Sequence, residues 1–422
     1  MNFLITTLGC KVNTYESNVI RDILLNNGYK EVKENASICI INTCTVTNTA
    51  HQKSLKMIRR LIKENKSAII VVIGCDSQVN ADIIKDIEGV SIILGNKNKT
   101  KILDYIEKYK QVNKQIIDIV CLKNQEFECM KLNNFNKTRA FVKIQDGCEN
   151  FCSYCIIPYT RGNVRSKKIE DVIEEVTTLV KENHREIVLT GIHTGHYGSD
   201  LDYNFAYLLN EIIKIKGLER LRISSIEINE ITDEVLDVIK KSNIIVDHIH
   251  IPMQSGCDKT LKEMNRKYDT KFFIDKINKI RSIRKDISIT TDIIVGFPNE
   301  TDEDFNKTLE NIKKINFSKI HVFPFSLRKG TKAEELPNHN SEEIKKERVK
   351  KLIEISKHLE IDYMDKFINK EVEFIPEVYK DGYLIGHTGN YLLIKYKGSI
   401  EDLNKTLKVK IIKNEYPYSI AE

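Results

Sequence analysis

Short runs of β-branched and aliphatic residues alternate with amphipathic stretches along most of the chain, from "FLITT" at 3–7 to "KIHVF" at 319–323. In the first part, "FLITT", "ICIIN" (38–42), "AIIVVIG" (68–74) and "VSIIL" (90–94) are separated by the helical patterns "YESNVIRDILLNN", "HQKSLKMIRRLIKEN" and "VNADIIKDIE". Strand followed by helix, repeated, implies parallel pairing with the helices covering the faces of the sheet. A second alternation begins at "RAFVKIQ" (139–145) and continues through "EIVLT" (186–190), "RLRIS" (220–224), "VDHIH" (246–250), "ISITTDIIV" (287–295) and "KIHVF". Six strand–helix units are fewer than a closed eight-fold barrel needs, so the expectation is a partial (β/α)6 barrel, open on one side. Beyond a long charged helix from Ser341 to Lys366, "EVEFIPEVY", "YLIGHTG", "YLLIKYKG" and "LKVKIIKN" read as short strands with Gly turns, hence a small all-β barrel.

The expected fold class is therefore α/β with three parts: an open parallel α/β domain over 1–112, the partial barrel over 134–364 and the β-barrel over 366–422. Residues 111–137, rich in Asn, Lys and Gln, read as a linker. A length of 422 residues is more than one core usually supports. The longest aliphatic run is far too short to span a bilayer, so no membrane association is expected. The N-terminus has no basic segment leading into a long apolar one, which points to the cytoplasm. In that reducing compartment, clustered cysteines argue for metal or redox chemistry instead of cross-links.

Three of the ten cysteines fall within "GCENFCSYC" (147–155): Cys148, Cys152 and Cys155, spaced CxxxCxxC. Structural zinc closes its shell with four ligands, whereas three thiolates on a four-iron cluster leave one iron open to an outside ligand. A zinc site completed by a distant His is the alternative. A dithiol redox pair in "CSYC" is another, although Pro158 argues against the helix such a motif requires. Cys10, Cys44 and Cys75 each stand just beyond one of the first three long strands, and in a parallel sheet such loops share the carboxyl edge where ligands bind. They can meet at one site, or they can be buried structural cysteines. Cys39, Cys121, Cys129 and Cys257 read as small hydrophobes.

CxxxCxxC at the end of the first barrel strand, with the aromatic Tyr154 between the last two cysteines, resembles the radical S-adenosylmethionine superfamily. "TLGCKVNTYES", "NTCTVTNTA" and "VIGCDSQ" resemble the N-terminal domain of its methylthiotransferases, and the tail resembles their TRAM domain, an OB-like RNA-binding barrel. "VKIQDGCENFCSYCIIPYTRG", "LTGIHTGHYG", "HIHIPMQSGCDKTLKEMNRKY" and "TDIIVGFPNET" look most like the members acting on N6-threonylcarbamoyladenosine at tRNA position 37.

The resemblance implies two 4Fe–4S clusters. One, on Cys148, Cys152 and Cys155, would cleave S-adenosylmethionine to a 5′-deoxyadenosyl radical, while the other, on Cys10, Cys44 and Cys75, would carry the sulfur. Methylthio would then reach carbon 2 of the adenine, with tRNA as partner and a low-potential electron donor such as flavodoxin or ferredoxin. Chemistry at an inert C–H bond has to come from cofactors that the protein positions and shields. Catalytic residues beyond the cluster ligands are not assigned. Thr190 and Gly191 stand where the superfamily often has GGE to receive the cofactor's amino group, here without the Glu. Gly296, Phe297 and Pro298 follow the fifth strand, where the cofactor's adenine would lie, although bare "GFP" reads as a turn. Glu227, Gln254 and Ser255, just beyond strands three and four, are further cofactor-binding candidates or loop hydrogen-bonders. His193, His196, His248 and His250 read as core or rim hydrogen-bonders.

Lys53, Lys56, Arg60 and Lys63 recur at three- and four-residue spacing on one helix, a basic stripe for RNA phosphates or an ordinary solvated face. Arg161 and Arg165 are expected to add charge near the CxxxCxxC motif. Residues 366–422 hold nine Lys and eight acids, so RNA affinity there cannot come from net charge. The same family also offers another tRNA adenosine, isopentenyladenosine, or a ribosomal-protein aspartate as substrate. A non-enzymatic iron–sulfur RNA-binding protein is the rival from another class.

Overall fold

The computed structural model describes residues 1–135 and 137–422. The first domain is one parallel sheet of β1 (Asn2–Thr7), β2 (Lys30–Glu31), β3 (Ile38–Thr43), β4 (Ile69–Gly74), β5 (Ile92–Leu94) and β6 (Ile116–Asp118), in the order β2-β1-β3-β4-β5-β6. Both faces of β3 are buried, as its unbroken apolar run requires. Ile38 and Ile40 pack against Ile20 and Leu24 of the helix Lys11–Asn26. Cys39 and Ile41 pack on the other face against Leu55, Ile58 and Leu61 of the helix Asn48–Glu64. The strand β6 corrects the reading of 111–137 as linker throughout. Three residues between polar neighbours are too few to show a period, yet they close the sheet edge beside β5.

The second domain contains β7 (Arg139–Lys143), a short antiparallel pair of β8 (Gln145–Asp146) and β9 (Arg165–Ser166), then β10 (Glu186–Thr190), β11 (Arg220–Ile223), β12 (His248–His250), β13 (Ser288–Val295) and β14 (Lys319–Pro324). The sets β7-β10-β11 and β12-β13-β14 are parallel, and bridges at Leu221–Ile245 and Ser225–His250 join them. This is the partial six-stranded barrel that the alternation predicts. Among the described residues no pairing joins β14 to β7, and the helix Lys11–Asn26 packs beside β7. Its Tyr15 is fully buried in the barrel's apolar core, with its hydroxyl on Met130 O (2.7 Å) and Glu175 Oε1 (2.8 Å).

The tail is a closed five-stranded barrel of β15 (Glu371–Lys380), β16 (Tyr383–Thr388), β17 (Leu393–Lys397), β18 (Leu407–Glu415) and β19 (Tyr418–Ala421). Its core of Phe374, Leu384, Ile394, Val409 and Ile411 also takes Tyr363 and Met364 from the long helix Glu342–Asp365. The loop after β16 docks on the larger barrel, where Arg222 donates to Gly389 O (3.1 Å) and Arg220 to His387 O (3.3 Å). No helix among the described residues is long and apolar enough to cross a membrane.

Phe374→Ala is expected to cost the tail about 3–5 kcal/mol, because the ring is fully buried in a small core. Calorimetry would show an earlier unfolding transition. Ile412→Ala, at an exposed position on β18, should move stability by no more than about 0.5 kcal/mol.

Candidate metal centres

The loop carrying Cys148, Cys152 and Cys155 hangs between β8 and β9. Gln145 Nε2 donates to Asp146 O (2.8 Å) and Gly147 O (2.7 Å), and Cys148 N to Gly162 O (3.0 Å). Gly147 has φ +77°, and a Cβ there would lie 1.8 Å from Asn163 O, so the loop can start only with glycine. Arg266 Nη1 donates to Cys152 Sγ (3.2 Å), and His193 Nδ1 lies 3.8 Å from Cys148 Sγ. Burial pushes the Cys155 thiol up to about 12 and raises Cys152 as well, so stable thiolates here need a strong positive charge among them.

The second triad assembles at the carboxyl edge of the first sheet, where β1, β3 and β4 are neighbours. Cys10 precedes the helix Lys11–Asn26, Cys44 follows β3 and Cys75 opens the helix Cys75–Lys85. A Cβ on Gly9, at φ +101°, would sit 2.9 Å from Cys44 Sγ, so glycine keeps the space beside this thiol clear. Burial pushes the Cys44 thiol up to about 11, with Cys75 and Cys10 adding to the shift.

All ten cysteines are free. Among the described residues, the only three metal-binding side chains with ligand atoms within 4.8 Å of one another are His193, His196 and Glu230. Neither cysteine triad closes so tightly. A single tetrahedral zinc with Zn–S bonds of about 2.3 Å needs sulfurs under about 4 Å apart. Both triads are therefore too open, as they stand, for one such ion.

A buried ionic network joins the two centres. Arg161, fully buried, donates through Nε to Cys75 Sγ (3.3 Å), through Nη1 to Glu16 Oε1 (2.9 Å) and Asp146 Oδ1 (3.1 Å), and through Nη2 to Asn13 Oδ1 (2.8 Å). Lys143 Nζ bridges the same carboxylates, at 2.8 Å from Glu16 and 2.7 Å from Asp146, and Lys99 bonds Glu16 from the other side. Burial alone would raise the Glu16 carboxyl, but the Arg161, Lys143 and Lys99 charges hold it well below the usual carboxylate range. Asn13 and Glu16 lie on the helix that follows Cys10, whereas Asp146 stands two residues before Cys148.

This network corrects two expectations. A short helix, Ile157–Arg161, does follow "CSYC", since Pro158 sits in its first turn where a missing N–H costs nothing. Arg161 and Arg165 are 0% and 5% exposed, and Arg161 faces Cys75 instead of the CxxxCxxC thiols.

The other sequence candidates separate into groups. Tyr154 and Phe297 meet edge-on with centroids 6.4 Å apart, and Phe297 is buried with Met264 and Phe325. Gly296, at φ +70°, and Phe297 direct their N–H groups to Glu300, whose carboxyl burial raises to about 7, and Pro298 is buried beside them. Glu227 Oε1 is ion-paired with Arg266 Nη2 (2.8 Å), which places it one side chain from Cys152. Thr190 O accepts from Ile144 N, and Gly191 lies against Gln145. Gln254 is tied by its backbone to Asp292 and Ile294, and the buried Ser255 hydroxyl accepts from Cys257 N (3.2 Å), which commits it to the loop. His193 is bonded to Glu230, while His248 and His250 are bonded to Thr290. Lys53, Lys56, Arg60 and Lys63 are all exposed on one helix, with Arg60 paired to Glu64 (2.7 Å). Arg266 on Cys152 had no sequence signal, because a lone Arg in a loop looks like any other.

Residues 142–312 match the Radical SAM superfamily model, and residues 2–95 match that of an uncharacterized protein family, UPF0004. The chain is 43% identical to the threonylcarbamoyladenosine tRNA methylthiotransferase MtaB of Bacillus subtilis, over 98% of this chain and 94% of that protein. The chain belongs to the radical S-adenosylmethionine methylthiotransferase family. It is therefore an enzyme that uses S-adenosylmethionine and a 4Fe–4S cluster. A tRNA-2-methylthio-N(6)-dimethylallyladenosine synthase of Clostridium tetani, in the same family, is 38% identical over 97% of this chain and 94% of its own. The radical S-adenosylmethionine methyltransferase TsrM of Kitasatospora setae shares the fold, with a TM-score of 0.55 at 12% identity over 76% of this chain and 72% of its own.

Arg161→Met leaves Glu16 and Asp146 buried with one cation fewer. The expected result is a stability loss of about 3–5 kcal/mol by chemical denaturation, with Arg161→Lys recovering part of it.

Proposed function

We propose that this methylthiotransferase acts on tRNA and adds a methylthio group to carbon 2 of N6-threonylcarbamoyladenosine at position 37, using two 4Fe–4S clusters. The observation that carries the reading is the pair of three-cysteine centres, on different domains, that one buried arginine network holds to each other. When bound, the clusters and S-adenosylmethionine supply one-electron cleavage of the cofactor and the sulfur to be transferred. The chain's residues position and shield these groups. Cys148, Cys152 and Cys155 would hold the cofactor-cleaving cluster, and the Arg266 guanidinium beside Cys152 offsets thiolate charge while fixing Glu227. Tyr154 and Phe297 wall off one flank with apolar surface. Cys10, Cys44 and Cys75 would hold the second cluster.

The helix Asn48–Glu64 begins shortly after Cys44 and exposes Lys53, Lys56, Arg60 and Lys63, so its stripe is placed to take tRNA phosphates near that cluster. The tail barrel would bind RNA by shape and backbone contact, in keeping with its nearly balanced charge. A low-potential flavodoxin or ferredoxin would supply electrons in the cytoplasm. The choice of threonylcarbamoyladenosine is supported by the 43% identity to a relative named for it.

The test is anaerobic reconstitution followed by reaction with dithionite, S-adenosylmethionine and tRNA lacking only the methylthio group. Wild type should yield 5′-deoxyadenosine and the methylthiolated threonylcarbamoyl nucleoside. Cys152→Ala should yield neither, and Cys75→Ala should form 5′-deoxyadenosine without methylthio transfer. Methylthio transfer by Cys75→Ala would overturn the sulfur-site assignment, and turnover confined to isopentenyladenosine tRNA would overturn the substrate.

A further inference from the structure

The open barrel encloses a cavity of about 310 Å³, lined by alternate residues of β7, β12, β13 and β14 and by the end of β11, and floored by Tyr391 from the tail barrel. Most charges on its wall are already matched. Arg139 pairs with Glu377 (3.1 Å) and Arg222 with Glu186 (2.6 Å), and both guanidinium groups lie over the Tyr391 ring. Asp292, the carboxylate on the wall, is 3.2 Å from His250 Nε2. Two groups are left over. Lys11 lines the cavity from the neighbouring domain and has no hydrogen bond or ion pair among the described residues. His248 is 7% exposed, its Nε2 is 3.1 Å from Thr290 Oγ1, and its Nδ1 has no partner. An orphaned ring nitrogen this deeply buried is costly unless a ligand atom meets it, and the exposed Lys11 offers a cation to the same space.

We propose that this lumen receives the N6 substituent of the target adenosine, and that Lys11 and His248 Nδ1 bind its carboxylate. The proposal rests on the substrate reading above and deepens it. In the tautomer in which Thr290 donates to His248 Nε2, the Nδ1 carries the ring hydrogen and is a donor toward an anion. Lys11 is the residue after Cys10, so the anion site opens one residue from the second cysteine centre. Asp292 offers an acceptor to the ureido N–H groups or the threonine hydroxyl, and Phe141 and Val188 give apolar wall for its methyl. An isopentenyl group would leave the buried His248 Nδ1 without a partner, and a site built for hydrogen bonding rejects such a substituent strongly.

The test uses the reconstituted full-length enzyme and anticodon stem–loop RNAs carrying threonylcarbamoyladenosine or its carboxamide analogue, with dissociation constants by fluorescence anisotropy and kcat and KM measured separately. Wild type should bind the acid about tenfold or more tighter than the amide, as a lost charge-assisted contact implies. Lys11→Met should bind the two alike with its iron content intact and the loss in KM, and Lys11→Arg should restore the preference. His248→Phe, distant in sequence from every cysteine, should reduce the same ratio and serves if Lys11→Met loses iron. An acid preference kept by both variants, or absent from wild type while the acid RNA is still turned over, overturns the lumen assignment alone. Turnover of isopentenyladenosine RNA only would instead sink the substrate reading on which it rests.

Discussion

The Arg161 guanidinium sits where two domains and two cysteine centres meet, and much of the structure is arranged around keeping it buried. It touches Cys75, Asn13, Glu16 and Asp146 at once. Lys99 and Lys143 complete the neutralisation of the two carboxylates. Desolvating this many charges brings little net stability, but breaking the set leaves buried ions alone. Such a network therefore specifies one arrangement more than it stabilises it. Apart from Lys99, each member lies within six residues of a cysteine or contacts one, so the geometry it specifies is the relation between the two centres.

The barrel's openness has a similar logic. Six strands leave a gap, and the helix Lys11–Asn26 covers the neighbourhood of β7 with Tyr15 and Val19 buried in the barrel core. The first domain thus completes the wall of the second, and the tail closes the far end through Tyr391 and the carbonyls that Arg220 and Arg222 hold. A cavity formed by three domains can be shaped by each of them. The Cys10 loop, the barrel strands and the tail barrel all reach the same space.

The strand–helix order was legible because short runs rich in β-branched and aliphatic residues alternate with amphipathic stretches, and from it followed the parallel sheet, the six-stranded barrel and the placing of Cys10, Cys44 and Cys75 at one edge. What escaped has physical causes. The strand Ile116–Asp118 is too short to show a period, and Pro158 could not be placed relative to a helix start from spacing alone. Arg161 and Arg266 gave no pattern, since a buried arginine is defined by partners distant in sequence: Glu16 is 145 residues from Arg161 and Cys152 is 114 from Arg266. The emptiness beside Lys11 and His248 is likewise a property of the assembled barrel. Local pattern reports strands and turns, and the chemistry here is set by contacts between domains.

The most direct test of the two-centre account is iron stoichiometry with Mössbauer spectroscopy on anaerobically reconstituted protein. Wild type should hold about eight irons per chain, because each cluster holds four. Replacing Cys10, Cys44 and Cys75 together by Ala should leave about four, as should replacing Cys148, Cys152 and Cys155. A wild-type chain with only four irons, or a Cys10/Cys44/Cys75 variant that keeps all of them, would contradict the account.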